Sequence, residues 1–195
     1  TWSGTMCLTE PQCGTDLGLI KTTAYPEGPE KYKIEGTKIF ISCGEHDLTE
    51  NIVHLVMARL PNAPTGIKGI SLFVVPKFLD FTASKNKKRN LVSCGSIENK
   101  MGIKASSTCA MSFDQATGWF LGSANKVMQA ISVMMHEARL VVGVQGLGLS
   151  ERAHQAAVEY ASERLHERTI TGTTHPEKAA DPISVPPALP TPPPV

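Results

Sequence analysis

The stretch MCLTEPQCGTDLG, residues 6–18, passes from a strand-like run into a proline, a glycine and a Thr-Asp pair within a few residues. Thr9 ends the strand, and Pro11, which lacks an amide N–H, stops the ladder. Gly14 permits a positive φ or a close backbone approach, and Thr15 and Asp16 then offer a hydroxyl and a carboxylate. Amides and hydroxyls converging at a strand end suit a flat polar ring system that needs hydrogen bonds along one edge. An ordinary Asx or proline turn fits the same spacing, and the spacing alone leaves both readings open.

Outward from that stretch the chain reads as β to residue 117. KYKIEGTKIFIS, IVHLVMARL and GISLFVVP alternate or run apolar between Gly, Pro and Asn punctuation, and TCAMSFD closes the set. Short strands at this spacing predict an antiparallel barrel or sandwich. Between Pro76 and Met101 the pattern lapses. SKNKKRN, with four basic residues in seven, reads there as an exposed loop or as a contact for a ligand phosphate.

From Ala124 the texture changes. Val127, Ile131, Met134, Met135, Ala138, Val141 and Val142 recur at helical spacing, and Ala153, Ala156, Ala157, Tyr160 and Ala161 continue it. Gly143, Gly146 and Gly148 would each weaken such a helix by about 1 kcal/mol relative to alanine, which predicts the close approach of another helix or backbone. A β-barrel or sandwich domain (residues 1–117) is therefore expected to run into an α-helical segment (118–170), the first long helix or helix pair of a further domain. PISVPPALPTPPPV is too rich in proline for either regular structure, so residues 171–195 are expected to be a disordered tail. Helices with an apolar stripe need partners, and those present cannot cover one another, so the chain reads as a piece of a larger protein.

Nineteen basic against 18 acidic residues in 195 give no global electrostatic case for nucleic acid or an anionic membrane. No uninterrupted apolar run approaches the ~20 residues that span a bilayer, and TWSGT lacks the features of a signal peptide. Cys7, Cys13, Cys43, Cys94 and Cys109 form no C-x-x-C pair, and no histidine stands at ligand spacing beside them. They read as free thiols of a reducing, cytoplasmic compartment, with no metal site.

LTEPQCGTD resembles the T-E-P-x-x-G-S/T-D signature of the acyl-CoA dehydrogenase family, and further motifs follow in that family's order. GTKIFISCGEHDLTENIVHLVMAR is similar to the second flavin segment, G-x-K-x-[WF]-I-[TS]-N-[GA], with its following strand. GIKGISLFVVPK, KMGIKASSTCAMSFDQATGWFLG and EARLVVGVQGLGLSERAHQAAVEYASERL resemble the next strands and the first long helix of the C-terminal domain. The resemblance implies the family's middle β-barrel and the start of its helical C-terminal bundle, with flavin adenine dinucleotide (FAD) between them. The long 77–99 insertion leans toward the large bacterial branch containing 3-methylmercaptopropionyl-CoA dehydrogenases.

Roles carried over by that resemblance are as follows. Leu8 and Thr9 match residues whose backbone and hydroxyl contact the pyrimidine side of the flavin, and Met6 begins the same strand. Gly14 and Thr15 match the turn that approaches the flavin and hydrogen-bonds the pantetheine arm of the substrate. Phe40 matches the aromatic packed on the ring, Ile41 follows it, and Ser42 matches the hydroxyl near flavin N5. Cys43 stands where asparagine is common. Arg139 matches a helix arginine at the CoA end of the substrate, and Arg164 one that reaches the flavin pyrophosphate of a neighbouring subunit, with Arg168 as a rival.

The reaction implied is α,β-dehydrogenation of an acyl-CoA thioester, with electron-transfer flavoprotein as acceptor and a homo-oligomeric (dimer or tetramer) enzyme. An acyl-CoA oxidase of the same fold and a non-catalytic barrel used for binding or assembly are the alternatives. No catalytic base is expected in this chain. Glu10 reads as structural, bonding local amides, and the minority position before the helix arginine is Ala138, one residue from Glu137.

Overall fold

The alternation in KYKIEGTKIFIS sends Ile34 and Lys38 inward, a bulge after Lys38 brings Ile41 in as well, and the segment becomes the spine of a barrel. In the computed structural model, which describes residues 1–81 and 87–163, seven strands precede one long helix. These are β1 (Trp2–Cys7), β2 (Thr23–Gly28), β3 (Lys31–Ser42), β4 (Asn51–Arg59), β5 (Ile70–Pro76), β6 (Val92–Ile97), β7 (Thr108–Leu121) and α1 (Val127–Glu163). Residues 164–195, which include Arg164, Arg168 and the proline-rich stretch, lie outside the described residues.

β3 pairs with β2 and β7, β7 with β5, β5 with β4, and Thr23 of β2 meets Arg59 of β4. The ring of pairings closes, so the sequence-level choice between barrel and sandwich resolves as a barrel. β6 adds to β7. Two pairings depart from the expected antiparallel pattern: the single β2–β4 contact is parallel, and β1 runs parallel to β4, from Trp2 opposite Asn51 to Cys7 opposite Val56. A parallel partner requires a long crossover, and the signature turn plus the β2–β3 hairpin supply it.

The core packs Ile34, Ile41, Val56, Phe73, Val75, Met111 and Phe113 from four strands. Two buried asparagines seal its rim. Asn90 donates to the carbonyls of Pro76 and Thr117 and accepts from the Thr117 amide, at 2.8–2.9 Å. It is the last residue of SKNKKRN, so that run is an exposed loop only in part: Lys88 and Arg89 face solvent while Asn90 is buried. Asn51 likewise holds both backbone groups of Phe78.

Contacts divide the chain at Val133 into the barrel unit and a second unit from Met134 onward. The described part of the second unit is the body of α1, a single continuous helix rather than a pair. Leu140, Val141 and Val142 are consecutive and all exposed. At ~100° per residue they spread apolar surface over much of the circumference. A helix apolar all round is buried all round in its working state. By length and composition Val127–Ala161 could cross a bilayer, which a search for uninterrupted apolar runs missed because Gly, Gln, Ser and His break them. Its three glycines meet open space rather than another backbone within the described residues.

His54 of β4 is fully buried; its Nδ1 hydrogen-bonds Thr5 Oγ1 at 2.8 Å, and its Nε2 has no partner among the described residues. Burial pulls its pKa from 6.5 to about 4. The unfolded chain then takes up this proton first, so stability should fall as pH drops from about 6.5 to about 4, by about 3 kcal/mol in all. Urea unfolding at pH 7.5 and pH 4.5 should show a smaller difference for His54→Gln than for the wild type; equal differences would remove His54 as the cause.

Candidate functional site

The chain reverses just after β1. Glu10 and Cys13 exchange backbone hydrogen bonds of 2.9 and 3.1 Å around Pro11-Gln12, so the proline sits at the tip of a tight turn where no ladder amide is needed. Asp16 then accepts from Gly18 N at 2.9 Å and caps the short 3-10 turn Leu17–Leu19. The acid at position 16 is thus used locally, as an Asx cap, while Thr15 and Gly14 remain exposed. Gly14 is not among the residues of positive φ, and a Cβ there would meet nothing within 4 Å. The protein itself does not require glycine at this point.

Glu10 is 3% exposed and turned inward. Its Oε1 accepts from Lys38 Nζ (2.8 Å), Thr22 Oγ1 (2.6 Å) and Thr22 N (3.0 Å); its Oε2 accepts from Lys21 N (2.8 Å) and from Gln12. Burial alone would raise the carboxyl pKa, but Lys38 and the converging donors outweigh it and hold Glu10 at about 2. Lys38 has no exposed surface. Burial draws its pKa below the usual lysine range, and the facing carboxylate opposes that. Its ammonium also donates to Leu8 O at 3.1 Å. Ile39 N donates to Thr9 O at 2.9 Å. Residues 8–10 are therefore stitched along residues 38–39 of β3, and the two motifs that are 28 residues apart in the ion pair become neighbours.

The sequence-derived residues divide by what they offer. Met6 and Phe40 are exposed, the latter at 57%. Ser42 is also exposed, and Leu8 and Thr9 are half-buried. Ile41 points its side chain into the core, so only its backbone is available to a ligand. Phe40 sits on a β-bulge between Lys38 and Ile41, with φ 59°. A bulky residue in the left-handed region is costly; here the bulge turns an aromatic side chain outward instead of into the core. Arg139 lies on α1 in the second unit and is exposed. No group of three metal-ligating side chains occurs among the described residues.

Lys38 was given no role by the sequence reading, although its signal was present. Strand alternation puts it on the face of Ile34, and a lysine at a core position demands a carboxylate. Arg59 was also passed over. Its guanidinium bonds the carbonyls of Gly18, Ile20, Pro64 and Gly66 at 2.7–3.0 Å and fixes the loop after the signature turn.

The strands and the turn that build this face fall within a segment that matches a known family. The family model for the acyl-CoA dehydrogenase middle domain matches residues 5–116. The chain belongs to the acyl-CoA dehydrogenase family. It is 51% identical over 172 residues to a 3-methylmercaptopropionyl-CoA dehydrogenase of Ruegeria pomeroyi, covering 88% of this chain and 29% of that protein. Caenorhabditis elegans ACDH-11 in complex with C11-CoA superposes with a TM-score of 0.71 at 26% identity, over 84% of this chain and 27% of that one. An acyl-CoA dehydrogenase of Bacillus anthracis complexed with FAD gives a TM-score of 0.64 at 27% identity, over 83% and 26%. The chain thus spans under a third of the length of each of these three proteins.

Cys43 adopts φ 54° and donates its amide to Ser107 O at 2.7 Å. Asparagine tolerates that conformation better than cysteine does. Cys43→Asn should stabilise the barrel by about 1 kcal/mol, read as a raised melting temperature, whereas Cys43→Ser should not.

Proposed function

We propose that this chain is the flavin-binding barrel, with the first helix of the following bundle, of an enzyme that dehydrogenates an acyl-CoA thioester between Cα and Cβ. The observation that carries the reading is the face formed when residues 8–10 dock on β3 and the bulge turns Phe40 outward. Thr9 has neither an amide nor a hydroxyl partner among the described residues, Phe40 is an exposed aromatic, and space lies open at Gly14. Those groups fit a flat ring with a polar edge. Met6, Leu8, Thr9, Gly14, Thr15, Phe40, the Ile41 backbone and Ser42 would hold FAD, with Arg164 reaching its pyrophosphate; Thr15 and Arg139 would contact the CoA portion of the substrate.

When bound, FAD supplies the acceptor for the hydride that leaves Cβ. Thr9 would orient the polar edge of the ring, Phe40 would cover it and exclude water, and Ser42 would offer a hydroxyl to the reacting part of the ring. The proton from Cα would go to a carboxylate outside this set of residues. Glu10 is unsuited to that task, since an ion-paired carboxylate of pKa about 2 is a weak base. Ala138 stands at the alternative position, and Glu137 is ~100° away around the helix.

A 3-methylmercaptopropionyl-type thioester is the first substrate to try, on the 51% identity to the Ruegeria enzyme. The remaining proposals rest on the family resemblance: electron-transfer flavoprotein as acceptor, a dimer or tetramer, and a bundle whose other helices cover the apolar surface of α1. The free cysteines favour a reducing, cytoplasmic setting. The domain limits proposed are 1–117 for the barrel segment, 118–170 for the helical segment and 171–195 for the tail.

The natural polypeptide containing these residues should show flavin absorbance bands after purification or after addition of FAD. Acyl-CoA should bleach those bands anaerobically, and little peroxide should form in air; rapid peroxide release would favour an oxidase. Gly14→Ala should leave thermal stability near that of the wild type, because its Cβ meets open space, yet weaken flavin or acyl-CoA binding. Unchanged binding would remove Gly14 from the site.

A further inference from the structure

The Glu10–Lys38 pair does more than hold a turn. Lys38 Nζ donates to Leu8 O at 3.1 Å. That carbonyl and the Thr9 N–H belong to one peptide unit. A charged donor on the oxygen withdraws electron density from the whole amide, so the N–H at its other end becomes more positive and a stronger donor. On the far side of Thr9, its own carbonyl is fixed by Ile39 N at 2.9 Å. Thr9 is thus clamped at both flanking peptides by β3, while its amide finds no partner among the described residues.

We propose that Lys38 is a positioning and polarising residue of the flavin site, acting through the Leu8–Thr9 peptide to fix and strengthen the Thr9 amide as donor to the pyrimidine edge of the ring. This rests on the reading of the site given above. Glu10 is the counter-ion that keeps the ammonium in place without leaving an uncompensated charge in the core. A stronger donor at that edge favours the reduced, more electron-rich ring over the oxidised one. Lys38 therefore raises both the affinity for FAD and the midpoint potential of the bound flavin.

The test uses the natural polypeptide that contains this chain, with FAD affinity measured by fluorescence titration and the potential by equilibration with reference dyes. Lys38→Met leaves Glu10 buried without its counter-ion, so the informative variant is Lys38→Met combined with Glu10→Gln, whose single amide oxygen can still accept from the amide and hydroxyl of Thr22. It should melt cooperatively, bind FAD about tenfold more weakly and show a more negative potential. Lys38→Gln, likewise combined with Glu10→Gln, serves as a second variant: a neutral donor reaching Leu8 O should recover much of the affinity but not the potential. Folded variants with wild-type affinity and potential would overturn the proposal and leave the pair purely structural. A wild-type protein that does not bind FAD would overturn the reading of the site itself, and the proposal with it.

Discussion

One buried ion pair ties the signature turn to the barrel. Glu10 and Lys38 bring opposite charges to within 2.8 Å, with side chains that are 2% and 0% exposed. Removing two charges from water costs several kcal/mol per ion, and the attraction repays it only when the remaining hydrogen-bonding capacity is used. Here the carboxylate accepts from two backbone amides, a hydroxyl and an amide side chain besides the lysine. Each of those donors comes from the chain on one side or the other of the signature turn. The pair therefore fixes where the turn sits, how β1 leaves the sheet and which part of β3 lies beneath it.

Function on this face follows from what that arrangement leaves unused. The turn consumes Glu10 and Asp16 in its own hydrogen bonding, so neither acid is free for chemistry. Thr9, Thr15 and Ser42 keep hydroxyls without partners among the described residues, and the bulge of β3 presents Phe40 at the price of a left-handed backbone. Cys43 repeats that conformation three residues later. Two non-glycine residues held at positive φ within one strand end show a local geometry imposed by surrounding pairing with β7 and the 106–107 loop.

The helix makes the complementary point. Its periodicity was legible, but the glycines and the exposed Leu140-Val141-Val142 run have no meaning within the described residues. They call for surfaces not found among the described residues, and the chain covers 29% of the Ruegeria relative. For the same reason Arg139 can be placed on the helix but not in a site, and Arg164 lies beyond the described residues.

The sequence by itself determined the class of each segment, because a period of two and a period near 3.6 are properties of neighbouring residues. It also located the motif strings that the family match spans, and Glu10 as a residue bonding backbone amides, although its donors Lys21 and Thr22 lie beyond the turn itself. Tertiary structure alone decided the parallel β1–β4 ladder, the closure of the sheet, the burial of His54 and the meeting of Glu10 with Lys38. Those depend on which strands become neighbours across tens of residues, and no local pattern encodes that. The lysine at a core-facing position was the one visible trace: buried charge requires a partner, but only the closed barrel says which.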